Sequence, residues 1–217
     1  QTCALPISSA FFFPNELAIK VLTAMDLPAP LPITDDIYNR LEAEILTAFN
    51  PTDLLTPSQV QGDYPTLREA VLAGNWPLLE QVRGKVAFVV MNMSGAREHY
   101  LGNLNSQTGQ LLFFSLFDKR DEQAAFLSLL SPVSEFENIQ TTVLEGFVVR
   151  TRAYADAKEA YANDLSRQQY AFHSGAHFVQ TDYLDPDPLT QNGYHVVLPQ
   201  GNPGRCNPIR TSAQTCS

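Results

Sequence analysis

The chain has 217 residues, of which 44% are hydrophobic and 17% are charged, and its formal net charge is −9. A chain of this length and composition can bury a sizeable core and is expected to form one globular domain. The acidic balance argues against a nucleic-acid partner, because neutralising phosphates requires a basic face. No apolar run approaches the ~20 residues of a transmembrane helix, so no membrane span is expected.

The chain starts with a segment that does not resemble the beginning of a protein. Residues 1–7, QTCALPI, look like the translation of a sequencing adapter and show no signal-peptide pattern. We therefore expect residues 1–7 to be an artefact and the N-terminal part of the gene to be absent. Residues 8–13 follow as a short apolar run bounded by Pro14 and Asn15, which predicts a strand.

Helices are predicted in the next part of the chain. From residue 37 to about residue 49, apolar side chains recur at three and four residues, which is typical of a helix. Residues 56–58 predict a turn. Thr66, with Glu69 three residues later, predicts a capping box, and the face of the helix that it opens carries Leu67, Val71 and Leu72.

Continuous apolar runs later in the chain predict strands buried on both faces, as in a parallel sheet. They lie at residues 86–91, 111–116, 147–152 and 177–182. Helices are predicted at residues 121–130 and 165–173. The strands alternate with helices and show no hairpin signal, which indicates right-handed βαβ units. With residues 8–13, about five strands are visible, so the α/β fold is either an open doubly wound sheet or part of a (β/α)8 barrel.

The last third of the chain carries the most specific sequence blocks. They are VVRTRAYADAKEA at residues 148–160, SGAHFVQTDY at residues 174–183 and GYHVVLPQGNPGRCNP at residues 193–208. These blocks resemble the C-terminal half of a secreted family of bacteria and fungi, the calcium-dependent phosphatidylinositol-specific phospholipase C-like family. The segment TLREAVLAGNWPLLEQVRGKVAFVV, residues 66–90, fits the same family. The resemblance spans roughly residues 27–216.

The resemblance implies an eight-stranded TIM-type barrel, of which residues 8–217 would be the C-terminal portion. It implies attack of the inositol 2-hydroxyl on the phosphodiester of a phospholipid, with transient contact at the membrane surface. Two histidines would act as general base and general acid, while Ca²⁺ and an arginine stabilise the developing charge. In the family, those histidines and most metal ligands lie on the first strands. We therefore expect this chain to lack the catalytic histidines and to show no turnover by itself.

Arg150 and Arg152 are the first candidates for substrate binding. They alternate along one predicted strand, so both point to the same face and Thr151 points to the other. A guanidinium is a rigid fork of donors that suits a phosphate, and barrel active sites lie at the C-terminal ends of strands. The alternative is a structural ion pair with a nearby carboxylate, either Asp156, Asp182 or Glu159.

Asp182, Tyr183 and Asn92 are further candidates because each follows or ends a predicted strand. Asp182 could orient a histidine, accept a hydrogen bond from an inositol hydroxyl or hold Arg152, and its alternative role is a strand-end cap or a structural arginine partner. Tyr183 could stack on the inositol ring or have no role in binding. Asn92 ends its strand on the side where the site is expected.

A calcium ligand is expected at Glu16 if the family's fourth-strand carboxylate maps there, although the local sequence PNELAIKV departs from the family pattern. One carboxylate cannot hold Ca²⁺ alone, because the ion takes several oxygen ligands. The four histidines form no acid–base pair in the sequence and are expected to be structural or exposed: His99, His173, His177 and His195.

Cys206 and Cys216 lie close together in a tail rich in proline, glycine and asparagine. A disulfide between them would close a small loop and indicate an oxidising compartment, and the 15 prolines and low charge also fit secretion. Two free thiols are the alternative.

Two other functions stay open at this point. The chain could belong to a barrel that hydrolyses glycerophosphodiesters, or it could be a non-enzymatic secreted scaffold or binding module.

Overall fold

The computed structural model describes residues 36–91, 96–102, 109–155, 157–186, 188, 190–198, 201–202 and 204–210. The predicted strand at residues 8–13 lies outside these ranges.

Among the described residues, four α-helices precede the sheet: α1 (Ile37–Ala48), α2 (Pro57–Gln61), α3 (Leu67–Leu72) and α4 (Leu79–Val82). The predicted turn at residues 56–58 is wrong, because this segment opens α2. The Thr56 side chain accepts a hydrogen bond from the Gln59 backbone at 3.3 Å, which caps the helix. Half of the predicted capping box of α3 is confirmed, since Thr66 Oγ1 accepts from the Glu69 backbone at 3.1 Å, whereas no reciprocal bond from Thr66 N–H to the Glu69 side chain is present among the described residues. Leu72 is exposed and does not belong to the buried face of α3.

In the part of the chain that the structure describes, five parallel strands form one sheet in the order β1-β2-β3-β4-β5. The strands are β1 (Phe88–Met91), β2 (Leu112–Leu116), β3 (Phe126–Ser128), β4 (Val148–Arg152) and β5 (Phe178–Gln180). This curled, all-parallel sheet with its helices is part of a TIM-type barrel, so the predicted α/β class is confirmed.

The predicted helix at residues 121–130 is wrong, because this segment contains β3. Its apolar residues are buried on both faces, since β3 lies between β2 and β4 in the middle of the sheet. Short apolar runs of this kind do not show whether they form a strand or a buried helix. The helices that follow β1 are α5 (Ala96–Gly102), α6 (Phe136–Leu144), α7 (Lys158–Ala162) and α8 (Ser166–His173).

The core lies mainly between the convex side of the sheet and the helices. Every residue of β2 is buried, as predicted. Burial of β1 on both faces is wrong, because Val89 is 39% exposed on the concave side. β1 is an end strand of the described sheet. Just before β1, Val86 forms a single parallel bridge with Leu54.

Trp76 closes the end of the sheet at which the strands begin. Its indole Nε1 donates to the Gly146 carbonyl at 3.0 Å. Its ring stacks on Phe113 with centroids 6.2 Å apart and meets the edge of Phe126 at 5.9 Å.

Candidate active site

The concave face of the sheet encloses a cavity of about 310 Å³. Most of its residues come from alternating positions of parallel strands, and their chemistry changes along the strand direction. Apolar side chains line the part nearer the starts of the strands, among them Val89, Phe126, Val148 and Phe178. Polar and sulfur-bearing side chains follow near the strand ends: Met91, Ser115, Arg150 and Gln180. The polar end is the end at which barrel enzymes place their active sites.

Arg150 lies at the centre of this polar layer. Its Nε donates to Gln180 Oε1 at 3.0 Å, and its Nη2 donates to the same oxygen. Its Nη1 donates to Ser128 Oγ at 3.5 Å and lies 3.8 Å from Met91 Sδ. Ser128 Oγ is in turn 2.7 Å from Ser115 Oγ. Side chains from several strands therefore hold the guanidinium in one position.

Arg152 is the next concave position along β4. The prediction that it shares a face with Arg150 is confirmed, because the intervening Thr151 is fully buried on the other side. The Nε atom of Arg152 is buried and makes no hydrogen bond. Within the described ranges, no carboxylate lies at ion-pair distance from Arg152. Burial, together with the charge of Arg152, lowers the pKa of Arg150 from its usual value.

Asp182 and Tyr183 follow β5 on the same rim. The Asp182 carboxylate accepts a hydrogen bond from the Tyr154 hydroxyl, so its described partner is a tyrosine rather than Arg152. Burial and this hydrogen bond raise the pKa of Tyr154 above its usual value. The Tyr183 ring meets the rings of Tyr154 and Tyr194 edge-on at 5.3 and 5.2 Å. The three rings therefore form a continuous row, in which Tyr194 is 1% exposed and belongs to the core behind Tyr183.

Several predicted site residues lie outside the described ranges, namely Asn92, Glu16, Asp156 and Cys216. Cys206 is described and exposed, but its predicted pairing with Cys216 stays a prediction. In the described part of the chain, no three histidine, cysteine or acidic residues come together as a metal site. The described residues therefore do not fit a complete calcium site.

The three histidines with described side chains do not line the cavity. His177 is buried just before β5, at the wrong end of the sheet for catalysis, and its Nδ1 accepts from the Val149 backbone at 3.1 Å. His173 bonds the Gln169 carbonyl at the end of α8, and His195 bonds the Gly193 carbonyl. These positions agree with the structural or surface roles predicted from the sequence.

Sequence reasoning missed three residues of the polar layer: Gln180, Ser128 and Ser115. Gln180 could have been found from the sequence, because it precedes Asp182 by two residues and therefore shares the face of the strand on which Asp182 was predicted. Ser128 could not be placed, since the segment around it was predicted to be a helix.

Comparisons with known proteins identify one family. A family model described as "Phosphoinositide phospholipase C, Ca2+-dependent" matches residues 13–208. No curated protein sequence and no solved structure matches the chain. No helix in the described ranges has the length and apolarity to span a bilayer.

Proposed function

Because the chain belongs to the Ca²⁺-dependent phosphoinositide phospholipase C family, we propose that its concave face binds the phosphodiester of an inositol phospholipid. The observation that carries this proposal is the pair formed by Arg150 and Arg152. Two cations lie side by side at the active-site end of the sheet, in a chain whose net charge is −9. Such a pair attracts an anion strongly, because burial weakens the screening of its charge by solvent.

The proposed reaction is phospholipase C-type cleavage. The inositol 2-hydroxyl attacks phosphorus, a new P–O bond forms, and the bond to the diacylglycerol oxygen breaks. The leaving oxygen takes a proton, and the proton of the 2-hydroxyl passes to a base. In this scheme Arg150 and Arg152 hold the phosphate oxygens and stabilise the charge that develops on them.

The three described histidines do not line the cavity, so the proton donor and the proton acceptor are not assigned to them. We propose that they belong to strands other than β1–β5. Ca²⁺, when bound, would supply further stabilisation of the phosphate charge. Glu16 stays a proposed ligand, and no step of the scheme depends on it.

The substrate-binding role extends to the rim of the cavity. Asp182 is proposed to accept from an inositol hydroxyl, and Tyr154 and Tyr183 are proposed to offer an aromatic surface beside the inositol ring. Asn92 is proposed to face the same opening. Because the substrate is a membrane lipid, the protein would contact the membrane surface transiently. Phe117 and Leu184, which are exposed just beyond β2 and β5, are suitably placed for that contact.

Secretion and a disulfide between Cys206 and Cys216 also belong to the proposal. The support is the proline-rich tail that contains both cysteines. Counting alkylated thiols before and after reduction tests the disulfide. Equal counts under the two conditions would contradict it.

The central experiment measures binding of myo-inositol 1-phosphate to the 217-residue chain by titration calorimetry. Arg152→Met should weaken binding about tenfold or more, because a charge-assisted hydrogen bond is lost. Arg83→Met removes an exposed arginine outside the cavity and is the matched control. Glycerophosphocholine, which lacks the inositol ring, should bind more weakly. Equal affinity of the wild type and Arg152→Met would refute the proposed site.

Turnover is tested separately with phosphatidylinositol vesicles and added Ca²⁺. We expect no turnover from this chain by itself. Clear cleavage would overturn the expectation that the acid and base groups lie on other strands, while leaving the binding site intact.

A further inference from the structure

Gln180 is joined to Arg150 by the oxygen of its amide. Two guanidinium nitrogens donate to that single atom, Nε at 3.0 Å and Nη2. Arginine has donors and no acceptor, so the amide oxygen of Gln180 must face it. The orientation of the amide is thereby fixed, and its Nε2 group points away from Arg150. Within the described ranges, Nε2 donates to no side chain or carbonyl.

The other described side chains that hold Arg150 are also uncharged. Nη1 contacts Ser128 Oγ at 3.5 Å and Met91 Sδ at 3.8 Å. Ser128 is itself fixed by its 2.7 Å contact with Ser115 on the neighbouring strand. The guanidinium is thus oriented from β1, β3 and β5 by groups that add no negative charge.

The choice of an amide at this position matters electrostatically. A carboxylate is the partner that suits an arginine fork best, and it would form an ion pair that cancels the positive charge. An amide oxygen offers the same acceptor geometry while remaining neutral. Gln180 also lies opposite Arg152 in the register of β4 and β5, so a charge at this position would act on both arginines.

We infer that Gln180 is a positioning residue, which orients Arg150 for an anionic ligand without itself adding a negative charge to the site. This inference rests on the proposed function, from which it takes its ligand, a phosphate ester of inositol. It adds that a negative charge at position 180 would weaken the binding of an anion.

The test compares three variants of the 217-residue chain. Gln180→Glu keeps the acceptor and adds a charge, Gln180→Met removes the acceptor, and Gln59→Glu adds the same charge at an exposed position on α2. The probe is myo-inositol 1-phosphate, measured by calorimetry at low salt. Gln180→Glu should weaken binding about tenfold or more, because the new carboxylate repels the phosphate and neutralises Arg150. Gln180→Met should lose less affinity for the probe than Gln180→Glu, and Gln59→Glu should bind the probe like the wild type.

A second readout needs no ligand. The Nε–H signal of Arg150 in ¹H–¹⁵N NMR should be protected from exchange in the wild type and in Gln180→Glu, and unprotected in Gln180→Met. A merely structural role of Gln180 would leave binding by Gln180→Glu unchanged, because an ion pair would hold Arg150 equally well.

The outcomes separate the inference from the proposed function. If the wild type and Gln180→Glu bind the probe equally while Arg152→Met does not, the inference fails and the proposed function stands. If the wild type does not bind the probe, the proposed function fails, and with it the role of Gln180 in anion binding. An unprotected Arg150 Nε–H in the wild type would refute the hydrogen bond between Arg150 and Gln180 itself.

Discussion

His177 offers a quantitative test of the fold, because only its neutral imidazole can accept the hydrogen bond from the backbone of β4. Its side chain is 6% exposed, and its Nδ1 accepts a hydrogen bond from the Val149 backbone at 3.1 Å. Protonation at Nδ1 would destroy this acceptor and place a buried charge beside the sheet. Burial, with a smaller contribution from Arg210, lowers the pKa of His177 to about 4.

The size of the effect on the free energy of unfolding follows from the pKa shift of His177. The unperturbed pKa is 6.5, and each pKa unit corresponds to about 1.4 kcal/mol, so the shift amounts to roughly 3 kcal/mol. Between pH 6.5 and about pH 4 the unfolded chain binds a proton at His177 that the folded chain does not. The stabilisation is therefore complete above the unfolded pKa and is lost as the pH falls toward the folded pKa.

Urea denaturation at a series of pH values through this window provides the assay. His177→Asn keeps an acceptor for Val149 and removes the titration, so its free energy of unfolding should depend less steeply on pH than that of the wild type. It should also be lower at neutral pH, because the smaller side chain leaves a cavity. His195→Asn is the control at a half-buried position outside the sheet. Parallel pH profiles for the wild type and His177→Asn would refute the reasoning.

Three further substitutions test separate features. Thr66→Ala removes the side-chain acceptor for Glu69 N–H and should lower the free energy of unfolding by about 1 kcal/mol, measured with urea; no change would contradict the cap. Trp76→Phe loses the bond to the Gly146 carbonyl and should destabilise by about 1 kcal/mol or more in the same assay. Phe117→Ser should reduce sedimentation with phosphatidylinositol vesicles without lowering stability, and unchanged sedimentation would exclude Phe117 from the membrane contact.

The sequence predicted the arginine pair because a strand repeats every two residues, and this period does not depend on the rest of the fold. Arg150 and Arg152 had to share a face once β4 was recognised. The same reasoning failed for β3, whose short apolar segment is also compatible with a buried helix. Its position between β2 and β4 is set by tertiary pairing, which a single sequence does not display.

The partners of the site residues were beyond sequence reasoning for a related reason. Asp182 was considered as a partner of Arg152, yet its carboxylate accepts from Tyr154. Gln180 and Arg150 are thirty residues apart and meet only because β4 and β5 are adjacent. Contacts across strands depend on strand order and register, and neither is encoded in the local pattern of a single strand.

The order of apolar and polar side chains along the concave face links the fold to the proposed anion binding. Along each strand the inward side chains change from apolar to polar, as from Val148 to Arg150 and from Phe178 to Gln180. In the register of β4 and β5, Arg150 lies opposite Phe178 and Arg152 lies opposite Gln180, so on both strands the polar side chain follows the apolar one toward the same end of the sheet. The apolar side chains beside the arginines lower the local dielectric and strengthen the attraction of the arginines for an anion. An antiparallel neighbour would place its polar residues at the opposite end, so the parallel topology itself concentrates the positive charge at a single opening.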